Sequence, residues 1–208
     1  TMYEQVSHAL LNDILNRLNE EICEEDLRHF YTRLGANFYA IHSLFFRLYG
    51  DRPDFADQAQ RLVETMARQY IRRPPVLRAV DIERERDFSW FLHQKWVGMA
   101  LYSEGFGGNL QGVCDNLSYF QELGINLMHI MPVMKCPEGR SDGGYAVSDF
   151  RAIDPRVGTL EDLQQLAGQA RSRDILLTLD VVLNHTSDEH EWARRARDGE
   201  SSYHDFYF

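Results

Sequence analysis

The sequence predicts an α/β fold, a parallel sheet preceded by an all-helical segment, and three observations carry that prediction. Apolar side chains recur only at helical spacing from Tyr3 to about Phe91. From Lys95 onward, strand-like and helix-like stretches alternate in short order, the pattern of βαβ units. Finally, Ile175 to His185 reads Ile-Leu-Leu-Thr-Leu-Asp-Val-Val-Leu-Asn-His, an aliphatic run broken by polar side chains at its end. Such a run suits a strand buried on both faces. Polar groups at the carboxyl end of such a strand lie where α/β folds place their chemistry.

The elements follow in order. Val6, Leu10, Leu11, Ile14, Leu15 and Leu18 mark an opening amphipathic helix. A second helical stretch runs from Glu24 through Phe46, with Leu27, Phe30, Leu34 and Phe38 on its apolar face. Asp54 to Ile71 is a third, stopped by Arg72-Arg73-Pro74-Pro75 because proline cannot continue a helix. The aromatic stripes read as helix-packing core. Lys95 to Tyr102 is the first strand, running into a glycine-rich turn at Ser103–Gly108. That turn does not complete a dinucleotide fingerprint, since Leu110 occupies the third glycine position. Leu110 to Leu123 is helical and closed by Gly124, and Leu127 to Met131 is a second strand stopped by Pro132. A long loop follows, from Val133 to about Gly158. Thr159 to Asp162 offers a capping box for a helix through Arg171, and Ile175 to Val182 is the third strand.

Loops at the carboxyl ends of these strands share one face. There they collect the Glu104–Asn109 turn, the Val133–Gly158 loop and the residues from Asp180 to His185. Asp142-Gly143-Gly144-Tyr145 offers an Asp to hydrogen-bond a sugar hydroxyl and a Tyr to stack on its apolar face. An ordinary Asx turn with Tyr145 packed on the rim is the other reading. Asp180 stands among apolar neighbours, so it needs a partner such as an arginine or several backbone donors. His185 is placed at a pocket mouth. The cluster His185, Asp188, Glu189 and His190 invites a metal reading, but its spacing fits neither zinc-helix motif, and no metal is expected.

The net charge of −10 argues against a nucleic-acid or anionic-membrane partner and is compatible with an uncharged substrate such as a sugar. Three cysteines, Cys23, Cys114 and Cys136, lack metal-site spacing and read as thiols in a reducing compartment. Without a signal-peptide pattern or a membrane-length apolar run, a cytoplasmic protein is expected.

Asp180-Val-Val-Leu-Asn-His185 resembles the first conserved region of the α-amylase family of retaining glycoside hydrolases. Met131 to Val147, reading Met-Pro-Val-Met-Lys-Cys-Pro-Glu-Gly-Arg-Ser-Asp-Gly-Gly-Tyr-Ala-Val, is similar to a loop of the amylosucrase and sucrose hydrolase group of that family. So is Asn184 to Trp192, and the helical first part resembles the all-helical amino-terminal domain of that group. The resemblance implies a (β/α)8 TIM barrel of the α-amylase type, of which about the first three strands are present. Residues 1–90 would be the helical domain, 91–183 the first part of the barrel, and 184–208 the start of the excursion after strand three. Asp142 would sit at the blind end of a glucose pocket, paired with an arginine from later in the chain. Tyr145 would stack on the glucosyl ring, His185 would hydrogen-bond a hydroxyl, and Asp180 would be a buried support. No cofactor is implied.

A whole barrel of this kind needs about 250 residues. The family's nucleophilic Asp follows strand four and its acid Glu strand five, so neither is expected here, and the remainder of the chain is needed to complete the barrel. The implied activity is retaining cleavage of sucrose, the glucosyl group passing to an α-glucan or to water. The alternatives are a relative acting on maltooligosaccharides or trehalose, and a truncated non-catalytic fragment.

Overall fold

The structure, a computed structural model, describes the backbone of residues 2–21 and 24–207 and the side chains of residues 8–18 and 27–207. The side chain of Val6 and all of Cys23 lie outside the described residues. The chain divides into two compact units, Thr1–Trp90 and Phe91–Phe208.

The first unit is helical. Its helices are α1 (Met2–Glu21), α2 (Glu24–Tyr49), α3 (Phe55–Arg72) and α4 (Pro75–Glu85). Ile14 and Leu18 of α1, Leu27, Phe30, Leu34 and Phe38 of α2, and Val63 and Ala67 of α3 form one buried cluster. These are the positions that helical spacing selects, because side chains three and four apart share a face. The sequence reading stopped at Pro74-Pro75 and assigned no helix beyond it. Pro75 is instead the first residue of α4, where its missing N–H is no loss. Arg73 holds α4 through a two-bond pair with Asp81, at 2.5 and 2.8 Å.

The second unit holds a parallel sheet in the order β1 (Gly98–Leu101), β2 (Leu127–Ile130), β5 (Leu176–Leu179). Met99, Leu101, Met128, Ile130, Leu177 and Leu179 pack with helix side chains such as Val113, Leu117, Phe120 and Leu166 in one core. Those helices are α6 (Leu110–Asp115), α7 (Leu117–Glu122) and α8 (Leu160–Arg171). The single helix expected over Leu110–Leu123 is interrupted at Asn116, whose amide donates to the Gly112 carbonyl at 2.7 Å and competes with the helix ladder. The Ser103–Gly108 turn contains a short helix, α5 (Ser103–Phe106). Its glycines serve close packing: a Cβ on Gly112 would meet the Gly107 carbonyl oxygen at 1.8 Å. Thr159 and Asp162 cap α8 reciprocally, the box its sequence offers.

The long loop between β2 and α8 is more regular than expected. It folds into an antiparallel ribbon of β3 (Met134–Lys135) and β4 (Asp149–Ile153), with a tight 3-10 turn at Asp142–Gly144 between them. A helix that the sequence reading did not assign, α9 (Glu191–Arg197), follows β5. The third strand is also shorter and wetter than expected, because every residue of β5 is partly exposed. Its odd face packs on the helices and its other face carries Thr178 and then Asp180. Among the described residues no helix is long and apolar enough to cross a membrane.

Candidate functional site

Strand periodicity builds the site. Residues of β2 and β5 that do not pack on the helices alternate onto the other face, and there His129 is paired in register with Thr178. Asp180 follows two residues after Thr178, on the same side, and its amide extends the ladder to the Ile130 carbonyl at 3.4 Å. The Asp180 side chain is 26% exposed, so it is half-buried rather than the buried group expected. Among the described residues it pairs with no arginine. Oδ2 accepts from the Tyr145 hydroxyl at 2.8 Å, and Oδ1 lies 3.1 Å from His129 Nε2.

Tyr145 is delivered by the 3-10 turn. Gly143 and Gly144 have φ of 67° and 93°, and Asp142 itself has φ 48°. Amides of Gly144 and Ala146 both donate to the Ser141 carbonyl, at 2.9 and 3.0 Å. A Cβ on Gly143 would meet the Tyr102 hydroxyl at 3.3 Å, which places the end of β1 beside this turn. The hydrogen bond to Asp180, then burial, then the charge of Asp180 raise the pKa of the Tyr145 phenol above its ordinary value. The phenol therefore keeps its proton and acts as a donor.

Beneath the turn lies a buried carboxylate. Asp154 is 4% exposed and takes two bonds from the Arg156 guanidinium at 2.9 Å each, with the Arg156 and Cys136 amides at 3.0 and 3.2 Å. The Cys136 thiol is buried and lies 3.4 Å from the Gly144 carbonyl. Burial pushes this thiol up, so it stays protonated and inert.

Tyr145 and Asp180 are thus brought together. Asp142 and His185 are not: both are exposed, and neither side chain makes a hydrogen bond or ion pair among the described residues. They flank the Tyr145–Asp180 pair in sequence, on loops that are themselves tied together. The Ser187 amide donates to the Val147 carbonyl at 2.8 Å, and Arg140 pairs with Glu189 and, at 3.6 Å, with Asp188. These bonds also account for the cluster considered for a metal. Asp188 and Glu189 face arginines, and His190 accepts from the Trp192 amide as the N-cap of α9. Among the described residues no group of three or more His, Cys, Asp or Glu side chains could hold a metal ion.

His129 was missed by sequence reasoning. A histidine inside Leu127–Ile130 looks like a core residue until strand register places it beside Thr178 and Asp180. Two cavities, of about 830 and 600 Å³, lie elsewhere, the first among α2, α3 and α4 and the second between β4 and α9. The Asp180 group sits on an open sheet face instead. Both oxygens of Asp180 already face a partner, so the carboxylate is placed to support other groups rather than to attack.

Comparison with known proteins gives a consistent picture. The family described as Alpha amylase, catalytic domain, matches residues 53–208. The trehalose-6-phosphate hydrolase of Escherichia coli (strain K12) is 44% identical over 100 residues, 48% of this chain and 18% of that protein. The oligo-1,6-glucosidase of Heyndrickxia coagulans is 43% identical over 104 residues, 49% of this chain and 18% of that protein. Among solved structures, the Bacillus licheniformis trehalose-6-phosphate hydrolase covers 57% of this chain and 22% of its own, at 31% identity and a TM-score of 0.51. A mutant of the trehalulose synthase of Pseudomonas mesoacidophila MX-45, in complex with sucrose, covers 55% and 22% at 33% identity and a TM-score of 0.50. The chain spans about a fifth of the length of these relatives.

Proposed function

Because the chain belongs to the alpha-amylase catalytic-domain family, we propose that it is part of a retaining enzyme that cleaves small α-glucosides, of the α-glucosidase type. The observation that carries this reading is the joining of Tyr145 to Asp180 at the carboxyl end of a parallel sheet, inside the stretch that matches the family. Names of the relatives, a trehalose-6-phosphate hydrolase and an oligo-1,6-glucosidase, favour short α-linked glucosides over sucrose in particular.

In this reading Tyr145 presents its ring to a glucosyl unit while its hydroxyl is anchored on Asp180. Asp142 and His185, exposed and unengaged, are the groups that take sugar hydroxyls, with an arginine from another part of the full protein beside Asp142. Retaining cleavage needs a nucleophilic carboxylate and an acid about 5 Å apart. Asp180 is neither, and we place both outside these 208 residues, on later strands of a (β/α)8 barrel. The buried thiols of Cys114 and Cys136 suit a cytoplasmic setting.

A second reading is retained on one observation. Met131–Val147 and Asn184–Trp192 resemble amylosucrases and sucrose hydrolases, and one structural relative is bound to sucrose. There the glucosyl group of sucrose would pass to water or to an α-glucan. Incubating the full-length protein with maltose, isomaltose, trehalose and sucrose, and measuring free glucose and fructose, separates the two. Glucose from the α-glucosides without fructose from sucrose supports the first. Fructose released from sucrose, with the others untouched, supports the second. No product from any of the four would overturn both.

A further inference from the structure

β2 is an apolar strand with a half-buried imidazole in it. Nε2 of His129 lies 3.1 Å from Asp180 Oδ1, and a carboxylate oxygen only accepts, so Nε2 carries a hydrogen. On the other side of the ring, Nδ1 is 3.2 Å from the Thr178 hydroxyl, which also lies 3.3 Å from the Met128 carbonyl. That hydroxyl has one hydrogen and two acceptors. With a neutral ring it donates to Nδ1; with hydrogen on Nδ1 it accepts there and donates to Met128. In both arrangements Thr178 fixes the plane of the ring, and with it the direction of Nε2–H.

Asp180 needs this. A carboxylate held at one oxygen pivots about its Cβ–Cγ bond. Held at both, by Tyr145 on Oδ2 and His129 on Oδ1, its plane is set. Tyr145 follows two consecutive glycines of positive φ, backbone that by itself orients a ring loosely. Its hydroxyl bond is the tie, and the tie is only as fixed as Asp180. We propose that His129, clamped by Thr178, is a positioning residue of the glucoside pocket: it sets the Asp180 carboxylate, which sets the Tyr145 ring. The inference rests on Tyr145 and Asp180 being pocket groups, as proposed above.

The experiment uses the full-length enzyme with p-nitrophenyl α-glucoside, maltose and sucrose as probes, and follows kcat and KM separately. His129→Phe keeps a flat ring and removes both nitrogens. A hydrogen bond to a charged group is worth about 10- to 100-fold, and kcat/KM of H129F falls by that order, with KM raised. His129→Gln places an amide hydrogen near the position of Nε2 and recovers most of the loss. Thr178→Val, which frees the ring but leaves Nε2–H, falls between. The decisive arm is a double-mutant cycle with Tyr145→Phe. If His129 acts through Asp180 on the phenol, then H129F has little further effect once the phenol is gone. Additive losses would mean a merely structural role and would overturn the inference, as would equal losses for the Phe and Gln variants, or full activity in H129F. Should H129F fail to fold on thermal unfolding, T178V and its cycle with Y145F give the same test. Wild-type protein that cleaves none of the probes overturns the functional reading itself, and this inference with it. Active wild type with an unaffected H129F overturns the inference alone.

Discussion

At the scale of single residues, the two carboxylates of this region show how partners decide a role. Asp180 sits half-exposed between a phenol and an imidazole. Asp154 is fully enclosed and faces a guanidinium and two backbone amides. Burial would raise the pKa of Asp154, but the Arg156 side chain and the Arg156 and Cys136 amides outweigh it and hold the carboxyl below its ordinary range. A carboxyl depressed in the folded state contributes stability that is fully present above its unfolded value, about 3.9, and is lost as pH falls through the folded value. Asp154→Asn should therefore lower stability at pH 7 by roughly 2 kcal/mol, the scale of a hydrogen bond to a charged group. That difference should shrink toward pH 3, because below about 3.9 the unfolded carboxyl takes up its proton while the folded one still holds its charge. Urea unfolding midpoints of both proteins at the two pH values check it; an equal deficit at both would show that the charge of Asp154 plays no part. The resemblance names Asp180 and Tyr145 as site candidates from sequence, whereas the bond between them is not legible there. A partner such as an arginine or several backbone donors is expected for Asp180. Its actual partners, thirty-five and fifty-one residues away in the chain, depend on strand register and on a turn's backbone, neither of which is written in local composition.

Among the elements, the second loop is where the sequence said least and the fold holds most. Glycine, proline and charge hid a short ribbon, since β3 has only two residues and its pairing with β4 shifts register between Met134 and Lys135. Helices and buried strands were legible from periodicity. The missed boundaries have local causes: Pro75 both ends one helix and begins another, and Asn116 breaks one helix into two. Within the loop, Gly144 has a double reason to be glycine. Its φ is 93°, and a Cβ there would stand 2.9 Å from the Pro132 carbonyl oxygen and 3.0 Å from the Pro132 Cβ, at the end of β2. Gly139 also has positive φ, 68°, but open space around it. Gly139→Ala should therefore lower stability by only about 1 kcal/mol, the backbone strain alone. Gly144→Ala adds a clash with a residue that cannot yield, so it should be clearly more destabilising and should also displace Tyr145. Thermal midpoints with kcat/KM of the two full-length variants test this. Equal midpoints, or G144A with unchanged kcat/KM, would mean that the turn does not set the tyrosine.

For the whole molecule, the sheet explains both what was predicted and why the prediction of burial was too strong. The Ile175–Val182 run reads as a strand covered on both faces, yet in β5 every residue is partly exposed. Among the described residues, in the sheet order β1-β2-β5, both β1 and β5 pair along one edge only, and His129, Thr178 and Asp180 share one face. In a (β/α)8 barrel, further strands would pair with β5 and β1 and close that polar face into an interior. An aliphatic strand such as β5 suits the interior of such a barrel. In our proposed reading the groups that grip a sugar are here, and the two carboxylates that would cleave it lie on later strands. Residues 1–208 produced alone should therefore release no detectable glucose from maltose or p-nitrophenyl α-glucoside, and no fructose from sucrose, under conditions where the full-length protein turns over. They should also associate as concentration rises, because an unpaired apolar strand edge is a template for pairing with another chain. Product assays beside light scattering on both proteins decide the matter. Turnover by the 208-residue chain at a rate near that of the full protein would show that the reactive groups lie among the residues described, and Asp142, unengaged and exposed beside Tyr145, would be the first to re-examine.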